Sequence, residues 1–188
     1  MKISIVSLSV ALALLAGPVR AADSVEARLA ALEDNQAINT LVVGAYPRAL
    51  DEMRMLDYAA LFTSDGELIL GSITLKGPAA IEKFLSTPGV WDEKPKPGEK
   101  PKPPSPLGVP HQVPHIISNP SYTITGNTAV GGAYWTEVTM VSGHAQVVGT
   151  GRYKDELRKV NGQWKFAKRE IMRDVPPEAP IRGASNSK

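Results

Sequence analysis

Three histidines, His111, His115 and His144, and no cysteine make up the chain's whole supply of imidazole and thiol. A metal site needs three or four convergent ligands. His111 and His115 are four apart, but Pro114 between them breaks the helical spacing that would put both on one face. The histidines therefore point to proton transfer, for which a group titrating near neutrality is suited. His115 stands between Pro114 and an apolar run, HIISN, where strand alternation gives it the same face as Ile117 and Asn119. A histidine there either packs in the core or works from the sheet into a pocket. His144, in the SGHA stretch, reads as a turn residue at a strand start, with a pocket role as the alternative. Tyr46 and Tyr134 can each donate a phenolic hydrogen bond to a carbonyl or a leaving hydroxyl, and each suits core packing equally. Arg152, Glu170 and Arg173 fall in strand-like segments, where an inward arginine would bind a carboxylate or phenolate and an outward one would be a solvated pair. No Walker-type loop, dinucleotide fingerprint, serine elbow or HExxH pattern occurs, so no classical nucleotide cofactor is expected.

Such groups need a framework. From Ser24 to about Phe62, Leu29, Leu32, Ile38, Leu41, Val42, Ala45, Ala49 and Leu50 recur three and four apart. This predicts a helix with one apolar face, N-capped by Ser24 and carrying Glu26 and Glu33 early, where the dipole favours acids. Pro47 should kink or break it near Gly44, with a second helical piece through Leu56 to Phe62. Thr63-Ser64-Asp65-Gly66 reads as a turn and Glu67 to Leu70 as a short strand, while Lys76-Gly77-Pro78 opens a short helix from Ala79 to Leu85. Residues 87–114 are crowded with prolines and lysines and read as an extended, mobile insertion, or else as a lid or docking arm. Beyond it, His115 to Thr125 and Thr128 to Met140 flank Gly126-Asn127, and Gln146 to Val160 and Gln163 to Arg173 flank Asn161-Gly162. Two long antiparallel hairpins are predicted, with a bend or bulge at Gly131-Gly132. Helices first and a mostly antiparallel sheet after them give an α+β architecture, the sheet wrapped over the N-terminal helix.

The composition, 43% hydrophobic and 21% charged, is that of a folded domain. MKISIVSLSVALALLAGPVRA carries a basic start, an apolar run from Ile3 to Ala16, a Gly17-Pro18 break and small residues at Val19 and Ala21, the pattern of a secretory signal peptide cleaved after Ala21. The apolar run is short for a membrane span and no second one follows. Cleavage removes Lys2 and Arg20 and no acid, so 21 basic side chains fall to 19 against 19 acidic ones. The pI of 8.8 therefore reflects the leader, and neither a nucleic-acid nor a membrane partner is expected. The location expected is periplasmic or secreted.

LEDNQAINTLVVGAYPRALDEMRMLDYAALFTSDGELIL, the GPAAIEKFL helix and the strands HIISNPSYTITGNTAVGGAYW and GTGRYKDELRKVNGQWKFAKREIMRD resemble, from about Leu32 to Asp174, the SnoaL-like branch of the nuclear-transport-factor-2-like superfamily. The resemblance implies a cone-shaped α+β barrel over residues 22–180, a strongly bent sheet and three helices enclosing a pocket, with a flexible tail over 181–188. It also implies a homo-oligomer, a dimer or trimer. Relatives of this kind include scytalone dehydratase, polyketide cyclases, steroid isomerases and lyases of lignin-derived aromatic dimers, beside binding and scaffolding proteins, so the fold does not settle function.

Members similar to scytalone dehydratase pair an acid on the first helices with a histidine on the first strand after the loop, and the positions that match are Asp51 and His115. Asp57, further along the same stretch, is the competing acid, reached if the alignment slips by about a turn. Leu50 stands where a tyrosine would precede the acid, and Thr139 stands near a second strand histidine; both departures argue against that same dehydration. The implied activity is that of an exported lyase or isomerase, without cofactor or metal, acting on a hydrophobic, aromatic, hydroxylated small molecule by dehydration or retro-aldol (deformylation) chemistry. His115 would be the general acid or base, Asp51 its orienting partner, and Tyr46 or Tyr134 the donor to developing charge. Asn119, Trp135, His144 and Arg152 would bind substrate. A non-catalytic pocket protein, or a dimeric interaction module using the proline-lysine arm, are the alternatives. Polar pairs at the pocket floor favour the enzyme and a purely apolar floor the binder. Mass spectrometry of the exported protein should find Ala22 as its first residue in a soluble fraction; an intact Met1 or a membrane-bound form would refute the leader.

Overall fold

The Ser24 hydroxyl accepts from the Ala27 N–H at 3.1 Å, capping helix α1 (Val25–Asn39) where the sequence places the start. The computed structural model describes residues 24–87, 114–141 and 143–174. The 1–21 leader, most of the 87–114 insertion and the 181–188 tail lie outside the described residues. Within α1 only Ile38 is buried, and Leu29 and Leu32 are exposed, so the expected apolar face meets the core only from Ile38 onward. Pro47 does not break the helix; the expected disturbance near Gly44 takes the form of a change in helical winding. Thr40–Ala45 widens into a π-helical turn in which the Tyr46 N–H reaches the Leu41 carbonyl. The wider turn accommodates the proline ring, which would otherwise crowd the preceding turn. Helix α2 (Tyr46–Asp51) follows at once with Tyr46, Ala49 and Leu50 buried, and α3 (Met55–Ala60) buries Met55, Tyr58 and Ala59.

Strands β1 (Phe62–Leu70), β2 (Ile73–Lys76), β3 (His115–Thr125), β4 (Thr128–Val141), β5 (His144–Val160) and β6 (Gln163–Arg173) form one curved sheet in the order β2-β1-β6-β5-β4-β3, with helix α4 (Pro78–Leu85) between β2 and β3 in sequence. The sheet is open, with β2 and β3 at its edges. Both hairpins form as expected, and at the second turn Asn161 and Gly162 take φ of 50° and 79°, the left-handed pair that such a turn requires. The sheet is mixed, however, because β1 lies parallel to β6. Residues 63–66, expected as a connecting turn, instead form a bulge within β1 between Phe62 and Glu67. Gly66 is needed there, since a Cβ would stand 2.8 Å from the Phe166 carbonyl oxygen. The α+β class and the bent, largely antiparallel sheet over the helices are as the sequence implies.

Gly149, Gly151, Tyr153, Asp155 and Leu157 alternate inward along β5. Between Asp155 and the cone lies Arg169 of β6, with no exposed surface. Its Nε and Nη2 donate to the two Asp155 oxygens at 2.8 and 2.6 Å. The rings of Tyr46, Tyr153 and Phe166 each lie 4.0 Å from its guanidinium carbon. Tyr122 of β3 donates to Asp155 as well, at 2.5 Å. Removing one partner of such a pair leaves an uncompensated charge out of water, at a cost of about 3–5 kcal/mol. Asp155→Ala should therefore lose stability of that order in chemical denaturation, while Tyr122→Phe, which leaves the ion pair intact, loses roughly 1 kcal/mol.

Candidate active site

Sheet and helices enclose a cavity of about 230 Å³. Its apolar wall comes from Leu50, Leu68, Leu70, Phe84, Leu85 and Ile171; its polar and aromatic lining is Tyr46, Tyr58, His115, Trp135, Glu137, Tyr153 and Arg173. Drug-sized ligand sites run to roughly 300–1,000 Å³, and this cavity lies just below that range.

His115 opens β3 and Asp51 closes α2, and the two meet across 64 positions of chain. The Asp51 Oδ1 lies 2.6 Å from His115 Nδ1, and its Oδ2 accepts from the His115 backbone N–H at 3.1 Å. A carboxylate at a helix C-terminus faces the negative end of the dipole; here it is held by two donors from one residue. Asp51 thereby fixes Nδ1 as the protonated nitrogen and turns Nε2 into the cavity. Asp57 is engaged elsewhere: its carboxylate accepts from Arg54 at 2.6 Å on the exposed side of α3. Of the two acids left open by the sequence, only Asp51 reaches the histidine.

The second partner of His115 was not visible in the sequence. Glu137 of β4 places Oε1 3.3 Å from Nε2, and Arg173 Nη2 donates to the same carboxylate at 3.1 and 3.4 Å. Burial opposes the His115 imidazolium, but the hydrogen bonds to Glu137 and then to Asp51, with their charges, outweigh it and raise its pKa above 6.5. Burial likewise opposes the Glu137 carboxylate, yet the His115 hydrogen bond and the Arg173 charge hold its pKa below the ordinary value. Tyr46 lines the cavity and its hydroxyl accepts from Tyr58 at 2.9 Å. Burial pushes both phenols up, so both stay protonated and remain donors.

Trp135 is 2% exposed and lines the cavity, and its Nε1 is a buried donor without a hydrogen-bond partner among the described residues. Its six-membered ring lies over Gly149 and Gly151, where a side chain would collide with it. The remaining candidates are not brought to the cavity lining. Tyr134, next to Trp135, is on the other face of β4 and 50% exposed. Arg152 pairs with Asp174 on the exposed side, and His144 is exposed at the start of β5. Asn119 takes φ 51° in a bulge between Ser118 and Ser121, which interrupts the alternation that had put it on the His115 face. No group of three histidine, aspartate or glutamate side chains among the described residues is arranged to hold a metal.

Residues 30–170 match the family model of the SnoaL-like domain. The chain belongs to the SnoaL-like family. Solved structures agree on the fold. An NTF2-like protein with a cystatin-like fold from Novosphingobium aromaticivorans superposes with a TM-score of 0.63 at 22% identity, over 79% of this chain and 89% of that one. A candidate scytalone dehydratase from the same organism gives 0.59 at 23%, over 79% and 89%. A single-residue variant of Rv3472, a protein of unknown function from Mycobacterium tuberculosis, gives 0.62 at 18%, over 85% and 84%. None of the curated proteins compared with the chain matches it. The SnoaL-like family includes isomerases, dehydratases and polyketide cyclases, and its fold often binds small molecules and is frequently dimeric.

The raised His115 pKa has a defined sign. Stability from this group is fully present below its unfolded value of 6.5 and is lost as pH rises through the folded value. Glu137, with a lowered pKa, contributes above its ordinary value of 4.5 and loses that contribution as pH falls through the folded value. NMR titration of the ring nitrogens should give a His115 midpoint above 6.5, and Asp51→Asn should lower it; a midpoint unmoved by that substitution would show the contact to be absent in solution.

Proposed function

We propose that this SnoaL-like protein is an exported lyase or isomerase that works by acid–base chemistry, without a cofactor, on a hydrophobic, aromatic, hydroxylated small molecule. The observation that carries the reading is the imidazole held between two carboxylates in a largely apolar cavity. A neutral histidine packed in a core offers one donor and one acceptor, so it cannot donate to two carboxylates at once. Two carboxylates on its opposite nitrogens favour the protonated ring and leave the Nε2 side facing the cavity. Water exclusion by Leu50, Leu68, Leu70 and Ile171 strengthens each of these interactions.

In a dehydration or a retro-aldol cleavage, one bond to carbon breaks as a proton leaves an adjacent atom, and nothing is oxidised or reduced. His115 supplies or takes the proton at Nε2, and Asp51 holds the tautomer and balances the imidazolium. The Tyr46 phenol, kept protonated by burial, donates to the oxygen that gains charge. Trp135 Nε1 is a second donor, without an acceptor among the described residues, suited to a carbonyl or hydroxyl oxygen of the substrate. The likeness to a candidate scytalone dehydratase supports the reaction class. Leu50 and Thr139, where a tyrosine and a second histidine would stand, argue against that same dehydration. The polar pair at the cavity wall favours an enzyme over a binding protein of the same fold. Export from the 1–21 leader and assembly as a dimer or trimer are part of the same proposal.

The test is a panel of hydroxylated aromatic compounds, read by mass spectrometry for loss of water or formaldehyde or for an isomer of unchanged mass. On the substrate so found, His115→Gln should lose roughly 10²- to 10⁴-fold in kcat with the fold intact. Asp51→Asn should also reduce kcat, and the double variant should be scarcely worse than His115→Gln, because groups acting as one unit are non-additive. Near-normal turnover by His115→Gln would overturn the mechanism.

A further inference from the structure

We propose that Glu137 is a second catalytic group, a carboxylate base paired with the His115 acid, and that Arg173 is the residue that positions it. This rests on the acid–base reading above and assigns a separate role within it.

Three features set Glu137 apart from an incidental ion pair. First, it is the direct cross-strand partner of His115, with both side chains on the inner face. The hairpin register makes this depend on the β3 bulge. From Thr125↔Thr128 to Ser121↔Gly132 the strands pair without a break, and continuing that register would set Val138 opposite His115. The bulge at Asn119 and Pro120 shifts the pairing by one residue and brings Glu137 there instead. Second, the two contacts of the imidazole differ. The Nδ1 side is closed by Asp51 at 2.6 Å, whereas the Nε2 side meets Glu137 at 3.3 Å, long enough to open for a substrate. Third, room is kept for the pair. Gly149 lies opposite Glu137 on β5, and a Cβ there would overlap Glu137 Oε2 and stand 3.0 Å from Arg173 Nη1. Arg173, its guanidinium 5.0 Å from the Trp135 ring, holds the carboxylate ionised. The charged groups facing Glu137 are thus His115 from β3 and Arg173 from β6, with Asp51 of α2 behind the imidazole.

In an elimination the electrons balance within this pair. Glu137 takes the proton from carbon, the C–H electron pair becomes the new double bond, and the C–O bond breaks as His115 Nε2 delivers its proton to the departing hydroxyl as water. Glu137 is left protonated and His115 neutral, and return of one proton across the short gap restores both.

The probe is 5-nitrobenzisoxazole, a small apolar ring whose opening needs one base to remove its C–H proton and releases a coloured phenolate without an acid. Glu137 as base predicts a wild-type rate that rises with pH in the carboxylate range and is already level near neutrality. Glu137→Gln should lose roughly 10²-fold or more, Glu137→Asp should fall between the two, and His115→Gln should lose less than Glu137→Gln. Ring-nitrogen NMR of Glu137→Gln should show the Asp51 contact intact and a lowered His115 midpoint. A wild-type profile with a single limb above 6.5, or full activity in Glu137→Gln with loss in His115→Gln, overturns this proposal and leaves the acid–base reading standing. A wild-type rate no greater than that of acetate overturns both.

Discussion

A guanidinium with no access to water is the constraint around which the cone is built. Arg169 needs a carboxylate and finds it in Asp155 on the neighbouring strand, and it needs polarisable surfaces and finds them in the faces of Tyr46, Tyr153 and Phe166. Those partners come from α2, β5 and β6, and the Tyr122 hydroxyl that completes Asp155 comes from β3. Each element must therefore arrive with one particular side chain inward, and a shift by one residue in a strand would turn that partner away from the buried charge. Such a pair adds little net stability over an apolar substitute, but it specifies register where apolar packing alone would tolerate slippage.

The site follows from that register. Tyr46 packs on Arg169 from one side and lines the cavity on the other, so the π-helical turn before Pro47 serves both the core and the pocket. Five residues on, α2 ends at Asp51, which crosses to the start of β3 and holds His115 by backbone and ring alike. One contact thus joins the helical layer to the sheet edge and sets the tautomer of the imidazole that lines the cavity. In the proposed mechanism structure and chemistry use the same carboxylate, so a substitution of Asp51 affects both, whereas Glu137, tethered only by side chains, can be altered with less effect on the fold.

Much of this frame was legible in the residues. Asn161-Gly162 fixed the last hairpin because two adjacent left-handed positions admit few residue types, and β3 and β6 begin and end where the alternation says. The parallel pairing of β1 with β6 was not legible, since strands roughly a hundred residues apart leave no local signal of their partnership. Strand β2 was missed because ITLK is short and lies against the start of α4. Tyr134 and Trp135 are adjacent, so alternation assigns them to opposite faces without saying which is inward; burial of Gly149 and Gly151 under the indole decides it.

Asn119 is the instructive case, because a residue expected to touch substrate acts on the site through register instead. Its left-handed φ, a conformation that asparagine tolerates better than most side chains, opens the bulge in β3. On the hairpin side of that bulge Tyr122 and Ile124 turn inward and Tyr122 reaches Asp155; on the other side His115 and Ile117 do, and His115 meets Glu137. Without the bulge, one of these two sets would have to face outward, since strand side chains alternate strictly. The single extra residue lets one strand serve the buried Arg169 cluster with even-numbered positions and the cavity with odd-numbered ones. Simple alternation through Asn119 could therefore give the correct face for His115 while hiding the carboxylate opposite it.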